Sequence, residues 1–164
     1  MTTSTLYVHP ALMSLAPAVT GRGDWAVGDL ARLTRLLVAD LPAALRREAV
    51  HDPAARWYLR LALTESVEVW LLTWTPGQHT RPHDHGGAAG SYTVLDGALT
   101  ETWRDGPAGP THRGVRRPGS GAAFGPERVH RVANRGILDA TSVHAYSPPL
   151  LPLREGLSLE EPPG

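Results

Sequence analysis

From Asp52-Pro53 onward the hydrophobic period of this chain drops to two and stays there until about Tyr146. β-Branched and aromatic residues gather in short runs separated by glycine, proline and aspartate, which is the signature of strands joined by tight turns. The spacing predicts strands over 57–63, 68–75, 81–84, 91–95, 98–104, 114–117, 122–124, 130–133 and 141–146. Asp96-Gly97 is a strong hairpin signal between two of them. So many short antiparallel strands must dispose of their edges by closing or doubling the sheet, so a mostly β barrel or jelly roll is expected.

The N-terminal third follows a different rule. Residues 1 to about 23 have no period and contain Pro10, Pro17, Gly21 and Gly23, so they read as an irregular arm. Leu30, Leu33, Leu37 and Leu41 then recur at three and four residues, predicting a helix with Asp29 as its N-cap. Pro42 suits the first turn of a second helix running to about Val50. The proline-rich stretch 149–164 reads as an extended tail. The expected organisation is one domain over 1–164, with arm and helical lead-in at 1–56, barrel at 57–148 and tail at 149–164.

Formal net charge is zero, which offers neither the basic footprint of a nucleic-acid binder nor a polybasic membrane anchor. No apolar run approaches the roughly 18 residues needed to span a bilayer, and no leader pattern is visible at the start. These observations make a cytoplasmic protein with small-molecule partners the default expectation, and a monomer is expected. Every basic residue is arginine, which reads as genomic composition bias and not as function. Cysteine is absent, which excludes disulfides, thiolate ligands and a cysteine nucleophile. Imidazole, carboxylate and water remain as metal ligands.

Against that background the segment His83-Asp84-His85, with His130 further on, is informative. Residues two apart on a strand share a face, so His83 and His85 can reach one ion while Asp84 points away to brace the loop. The bland alternative is that strand histidines satisfy surface hydrogen bonds. His9, His51 and His112 have no comparable context, and only His79 lies close enough in sequence to compete as a ligand.

The run Pro76-Gly77-Gln78-His79-Thr80-Arg81-Pro82-His83-Asp84-His85, followed by Gly90 and Gly97, resembles the first cupin motif, and His130 with Asn134 resembles the second. The usual pattern has a glutamate about five residues after the second histidine, where this chain has Gly90. A three-histidine set without carboxylate is similar to that of the cysteine dioxygenase family. Tyr58-Leu59-Arg60 and Ser142-Val143-His144-Ala145-Tyr146-Ser147-Pro148-Pro149 resemble that family's substrate-binding and Ser-His-Tyr motifs, so the resemblance covers roughly residues 56 to 150.

The resemblance implies a cupin-type barrel holding Fe(II) on His83, His85 and His130 and converting L-cysteine and O2 to cysteine sulfinate. Arg60 and Tyr58 would bind the substrate carboxylate, and Tyr146, oriented by His144 and Ser142, would act beside the metal. Several eukaryotic members join a cysteine covalently to this tyrosine. Gly90 stands at the corresponding position, so Tyr146 is expected to be an unmodified phenol.

On pattern alone Arg60 could equally be a solvated edge residue, and Ser142, His144 and Tyr146 a polar barrel lining. A Ser-His hydrolase is a poor alternative, because Ser142 has no nucleophile elbow around it. Other readings remain open. One is a dioxygenase of another small thiol such as 3-mercaptopropionate, for which glutamine is expected where Arg60 stands. A second is a non-enzymatic metal-binding cupin serving as sensor or binding module. A third is a zinc or manganese isomerase of the same fold.

Overall fold

A computed structural model describes residues 5–150. Strand β1 (Thr5–Val8) leads through a 3-10 turn (Pro10–Leu15) and a short helix α1 (Ala16–Val19) to α2 (Val27–Ala39) and α3 (Ala43–Glu48). Eight strands follow: β2 (Tyr58–Thr64), β3 (Glu68–Trp74), β4 (Ala89–Asp96), β5 (Leu99–Asp105), β6 (His112–Arg116), β7 (Gly121–Phe124), β8 (Arg128–Ala133) and β9 (Ala140–Ser147). They form an antiparallel six-stranded sheet, β1-β2-β3-β9-β4-β7, and a three-stranded sheet, β6-β5-β8. The mostly β architecture expected from the period-two pattern is present.

Two apolar cores hold the layers. Leu30, Leu33 and Leu37 of α2 are buried and the helix packs on β4 and β9, which covers the outer face of the larger sheet. Between the sheets lie Trp74, Tyr92, Val94, Leu99, Phe124, Val132 and Tyr146, contributed by both. Alternation along β9 divides its side chains between these cores: Val143 and Ala145 join the first, Tyr146 the second.

The helical stripe is as expected, but the start of α2 lies earlier. Ala26 occupies the cap position and Asp29 stands in the first turn, its carboxylate accepting the Ala26 N–H at 3.1 Å. This satisfies one orphan donor and sets a negative charge at the positive end of the helix dipole. Pro42 caps α3, which ends at Glu48.

Two expectations need correction. The N-terminal arm is not irregular, because β1 pairs antiparallel with β2 and extends the large sheet. Residues 81–84 form no strand; the connection is tied to β8 by isolated bridges, His79 with Ala133 and His83 with His130, and by the Thr80 N–H donating to the Val132 carbonyl at 2.9 Å. Pro82 has no N–H to give to a ladder, so continuous pairing cannot form there. Most of the expected tail, 151–164, lies outside the described residues. Among the described residues no helix is long and apolar enough to cross a membrane.

The hairpin between β4 and β5 depends on Gly97, which has φ +73° and whose added Cβ would meet the Asp139 carbonyl oxygen at 2.3 Å. Gly97→Ala is expected to lower unfolding free energy by about 1–3 kcal/mol, read by urea denaturation. An unchanged midpoint would contradict this role for the turn.

Candidate metal centre

His83 and His85 sit on the connection between β3 and β4, and His130 on β8. The three rings converge, with centroids 4.8–5.0 Å apart, and one nitrogen of each lies within 4.8 Å of the others. Backbone hydrogen bonds fix the approach: His83 N–H donates to the His130 carbonyl at 3.1 Å, and His130 N–H donates back at 3.0 Å. Asp84 faces away and accepts the Gly86 N–H at 3.1 Å, bracing the turn. His79 is exposed, hydrogen-bonded to Gly77 and outside the convergent group.

Burial holds two of the rings, His83 and His85, neutral. Burial lowers the His83 pKa to about 4, assisted by the nearby His130. Burial, again with His130 and His83, pushes His85 well below the ordinary histidine range. His85 is 1% exposed and neither ring nitrogen has a hydrogen-bond partner, although a buried polar group is normally satisfied. A divalent cation would partner one of those nitrogens, and three imidazoles form a donor set suited to iron, zinc, copper or nickel.

A cavity of about 200 Å³ opens beside His83 and His130. Its walls include Trp70, Trp74, Tyr58, Arg56, Arg81 and Tyr146. Tyr146 ends a buried hydrogen-bonded row that the structure brings together on β9. Trp74 Nε1 donates to Ser142 Oγ at 2.9 Å, Ser142 Oγ lies 2.8 Å from His144 Nε2, and His144 Nδ1 lies 3.1 Å from the Tyr146 hydroxyl. The indole can only donate, so the Ser142 hydroxyl is free to donate onward to His144 Nε2. Burial lowers the His144 pKa to about 3, so the ring is neutral and carries one proton, which stands on Nδ1 when Ser142 donates to Nε2. That tautomer directs the ring proton at the Tyr146 oxygen and leaves the phenol proton for the cavity. Burial also raises the Tyr146 pKa, so the phenol keeps that proton at neutral pH.

No side chain fits at position 90: an added Cβ would lie 2.6 Å from the Phe124 ring and 2.9 Å from that of Tyr146. Phe124 and Tyr146 fill this space and flank His85, with centroids 4.8 and 5.2 Å away.

Arg60 is placed differently from its sequence reading. Its Nε and Nη2 pair with Glu68 at 3.1 and 3.0 Å and its guanidinium lies 4.6 Å from the centre of the Trp70 ring, off the cavity lining. The arginine lining the cavity from this part of the chain is Arg56, over the Trp74 ring at 4.9 Å. Tyr58 and Arg60 share parity on β2, but a two-residue step advances about 7 Å, and the cavity is lined by Tyr58 and not by Arg60. Parity was legible in the sequence and distance along the strand was not. Asn134 braces the site from behind, its amide donating to the carbonyls of Trp74 and Leu138.

The sequence profile of the cysteine dioxygenase type I family matches residues 36–155. This chain belongs to the cysteine dioxygenase type I family. The fold agrees. A double-stranded β-helix protein from Klebsiella pneumoniae is 18% identical, with TM-score 0.57 over 71% of this chain and 95% of that one. A cupin superfamily protein from Desulfitobacterium hafniense is 16% identical, with TM-score 0.54 over 66% of this chain and 91% of that one. A protein from Thermus thermophilus is 24% identical, with TM-score 0.54 over 63% and 93% of the respective chains. No curated protein matches at a significant level. Membership in a metal-dependent family agrees with the convergent histidines and makes the chain a thiol-dioxygenase relative of cupin fold.

Buried neutral histidines carry a pH signature. Their folded pKa values are lowered, so below the unfolded value of 6.5 the unfolded chain binds protons that the folded chain refuses. The metal-free protein should therefore lose stability, on the order of 2–4 kcal/mol, between pH 7 and pH 5. Urea midpoints at the two pH values measure this, and equal midpoints would contradict the neutral assignment.

Proposed function

We propose that this protein is an iron(II)-dependent dioxygenase that oxidises L-cysteine with O2 to L-cysteine sulfinate. The observation that carries the proposal is one cavity bordered by two of the convergent imidazoles, by a cationic side chain, Arg56, and by a phenol at the end of a buried relay. A sensor or binding module needs the first of these and has no use for the relay.

Iron(II), held by His83, His85 and His130, would supply open coordination positions for the thiol and the redox activity that O2 chemistry requires. The protein's own contribution is binding, orientation and proton placement. The Arg56 guanidinium offers a planar fork to the substrate carboxylate, with Tyr58 at the cavity wall beside Trp70. The indoles of Trp70 and Trp74 narrow the space around the thiol and limit water. Tyr146 keeps its hydroxyl proton directed into the cavity, where it can donate to oxygen as the sulfur is oxidised, and the Ser142-His144 pair holds that orientation. Both oxygen atoms of O2 enter the product, and the thiol proton remains with the sulfinic acid.

Four outcomes are expected. Oxygen uptake by the iron-loaded protein should be faster with cysteine than with 3-mercaptopropionate, and the reverse preference would replace the substrate assignment. Arg56→Gln should raise the cysteine KM by roughly 10–100-fold, as loss of a charge-assisted pair predicts. Arg60→Gln, which breaks the Glu68 pair, should change it far less; equal effects would return the carboxylate to Arg60. Tyr146→Phe should lower kcat by about 100-fold with little change in KM.

A further inference from the structure

The three histidines differ in what lies behind them. His83 Nδ1 lies 2.8 Å from the Arg81 carbonyl oxygen, and His85 has no partner. His130 alone is backed by a carboxylate: its Nδ1 lies 2.9 Å from Glu101 Oε1. Glu101 is on β5, fully buried, and its oxygens are shared among four donors. Oε1 also accepts from Arg128 Nη1 at 3.1 Å, while Oε2 accepts from the Tyr92 hydroxyl at 3.2 Å and Arg116 Nη2 at 3.1 Å.

We propose that Glu101 is a positioning residue for the metal site, committing His130 Nε2 to the cavity and holding one negative charge a single hydrogen bond behind an otherwise neutral ligand set. The inference rests on the metal reading of the three histidines. The two ring nitrogens are distinct, and the partner of one decides the state of the other. An ionised carboxylate can only accept, so it accepts a hydrogen bond from Nδ1–H and leaves Nε2 with its lone pair for a cation. The chain thus lacks a carboxylate among its convergent ligands and carries one directly behind them. Tyr92 extends the arrangement, since its ring stacks on His144 at 5.1 Å while its hydroxyl donates to Glu101.

A purely structural role for the cluster can be separated from this one. Arg128 also pairs with Asp105, through Nε to Oδ1 at 2.6 Å and Nη2 to Oδ2 at 3.0 Å. Asp105→Asn weakens that ion pair and leaves the His130 contact in place. Cobalt(II) affinity, measured by competition with a chromophoric chelator, should fall about 10–100-fold in Glu101→Gln and stay within about threefold of wild type in Asp105→Asn. Unchanged affinity in Glu101→Gln, or equal losses in both variants, would overturn the proposal.

If Glu101→Gln does not fold, the unsubstituted protein decides. In the 15N-labelled zinc form, His130 should show a slowly exchanging, far-downfield proton on Nδ1. A proton on Nε2, or a rapidly exchanging one, would overturn the inference. Failure of the unsubstituted protein to bind either metal would remove the metal reading itself, and with it this proposal. Normal metal loading and Glu101 dependence without thiol oxidation would remove only the oxygenase.

Discussion

Two backbone hydrogen bonds between His83 and His130 hold the candidate centre together. The connection between β3 and β4 cannot run as a strand, because Pro82 interrupts any ladder, yet it must deliver two imidazoles to a third on β8. The reciprocal pair at 3.1 and 3.0 Å ties the connection to β8 next to the interruption. His83 then lies beside the cavity, and His85, two residues on, is buried against Phe124 and Tyr146. Burial so close together favours the neutral form of each ring, and the neutral form is the one that ligates a cation.

Around this point the protein divides its polar groups between two tasks. On one side, a buried row runs from Trp74 through Ser142 and His144 to the Tyr146 hydroxyl. On the other, the ionised Glu101 stands behind His130 and is ion-paired with Arg128 and Arg116. Burial alone would raise the Glu101 pKa, but the His130 hydrogen bond and the surrounding positive charges outweigh it and hold the carboxyl at about 2. The two groups meet at Tyr92, which lies against the His144 ring and hydrogen-bonds Glu101. Substitutions on either side should therefore be expected to couple.

Much of this was legible in the sequence, for identifiable reasons. Period-two alternation marks strands because side-chain direction is a local property of the backbone, and it put Ser142, His144 and Tyr146 on one face. The histidine pair was legible through its spacing and the cupin glycines around it. What failed to show was long-range. Pairing of β1 with β2 depends on a partner far along the chain, so the arm looked irregular. Arg60 had the right parity, but the position of the cavity wall relative to β2 is a tertiary fact, and the lining position fell to Arg56. Glu101 carried no motif; its signal was a carboxylate between two threonines on a strand next to a hairpin, which reads as a solvent-facing residue until β8 is laid beside it.

The function proposed for this protein requires the three-histidine centre to perform dioxygen chemistry on a thiol. Isotope labelling tests it most directly: anaerobically iron-loaded protein is given cysteine and 18O2, and the product is weighed by mass spectrometry. Cysteine sulfinate carrying two 18O atoms, formed only with iron and lost on His85→Ala, is the expected product. Sulfinate with one label or none, or a yield that survives without the metal or His85, would contradict it.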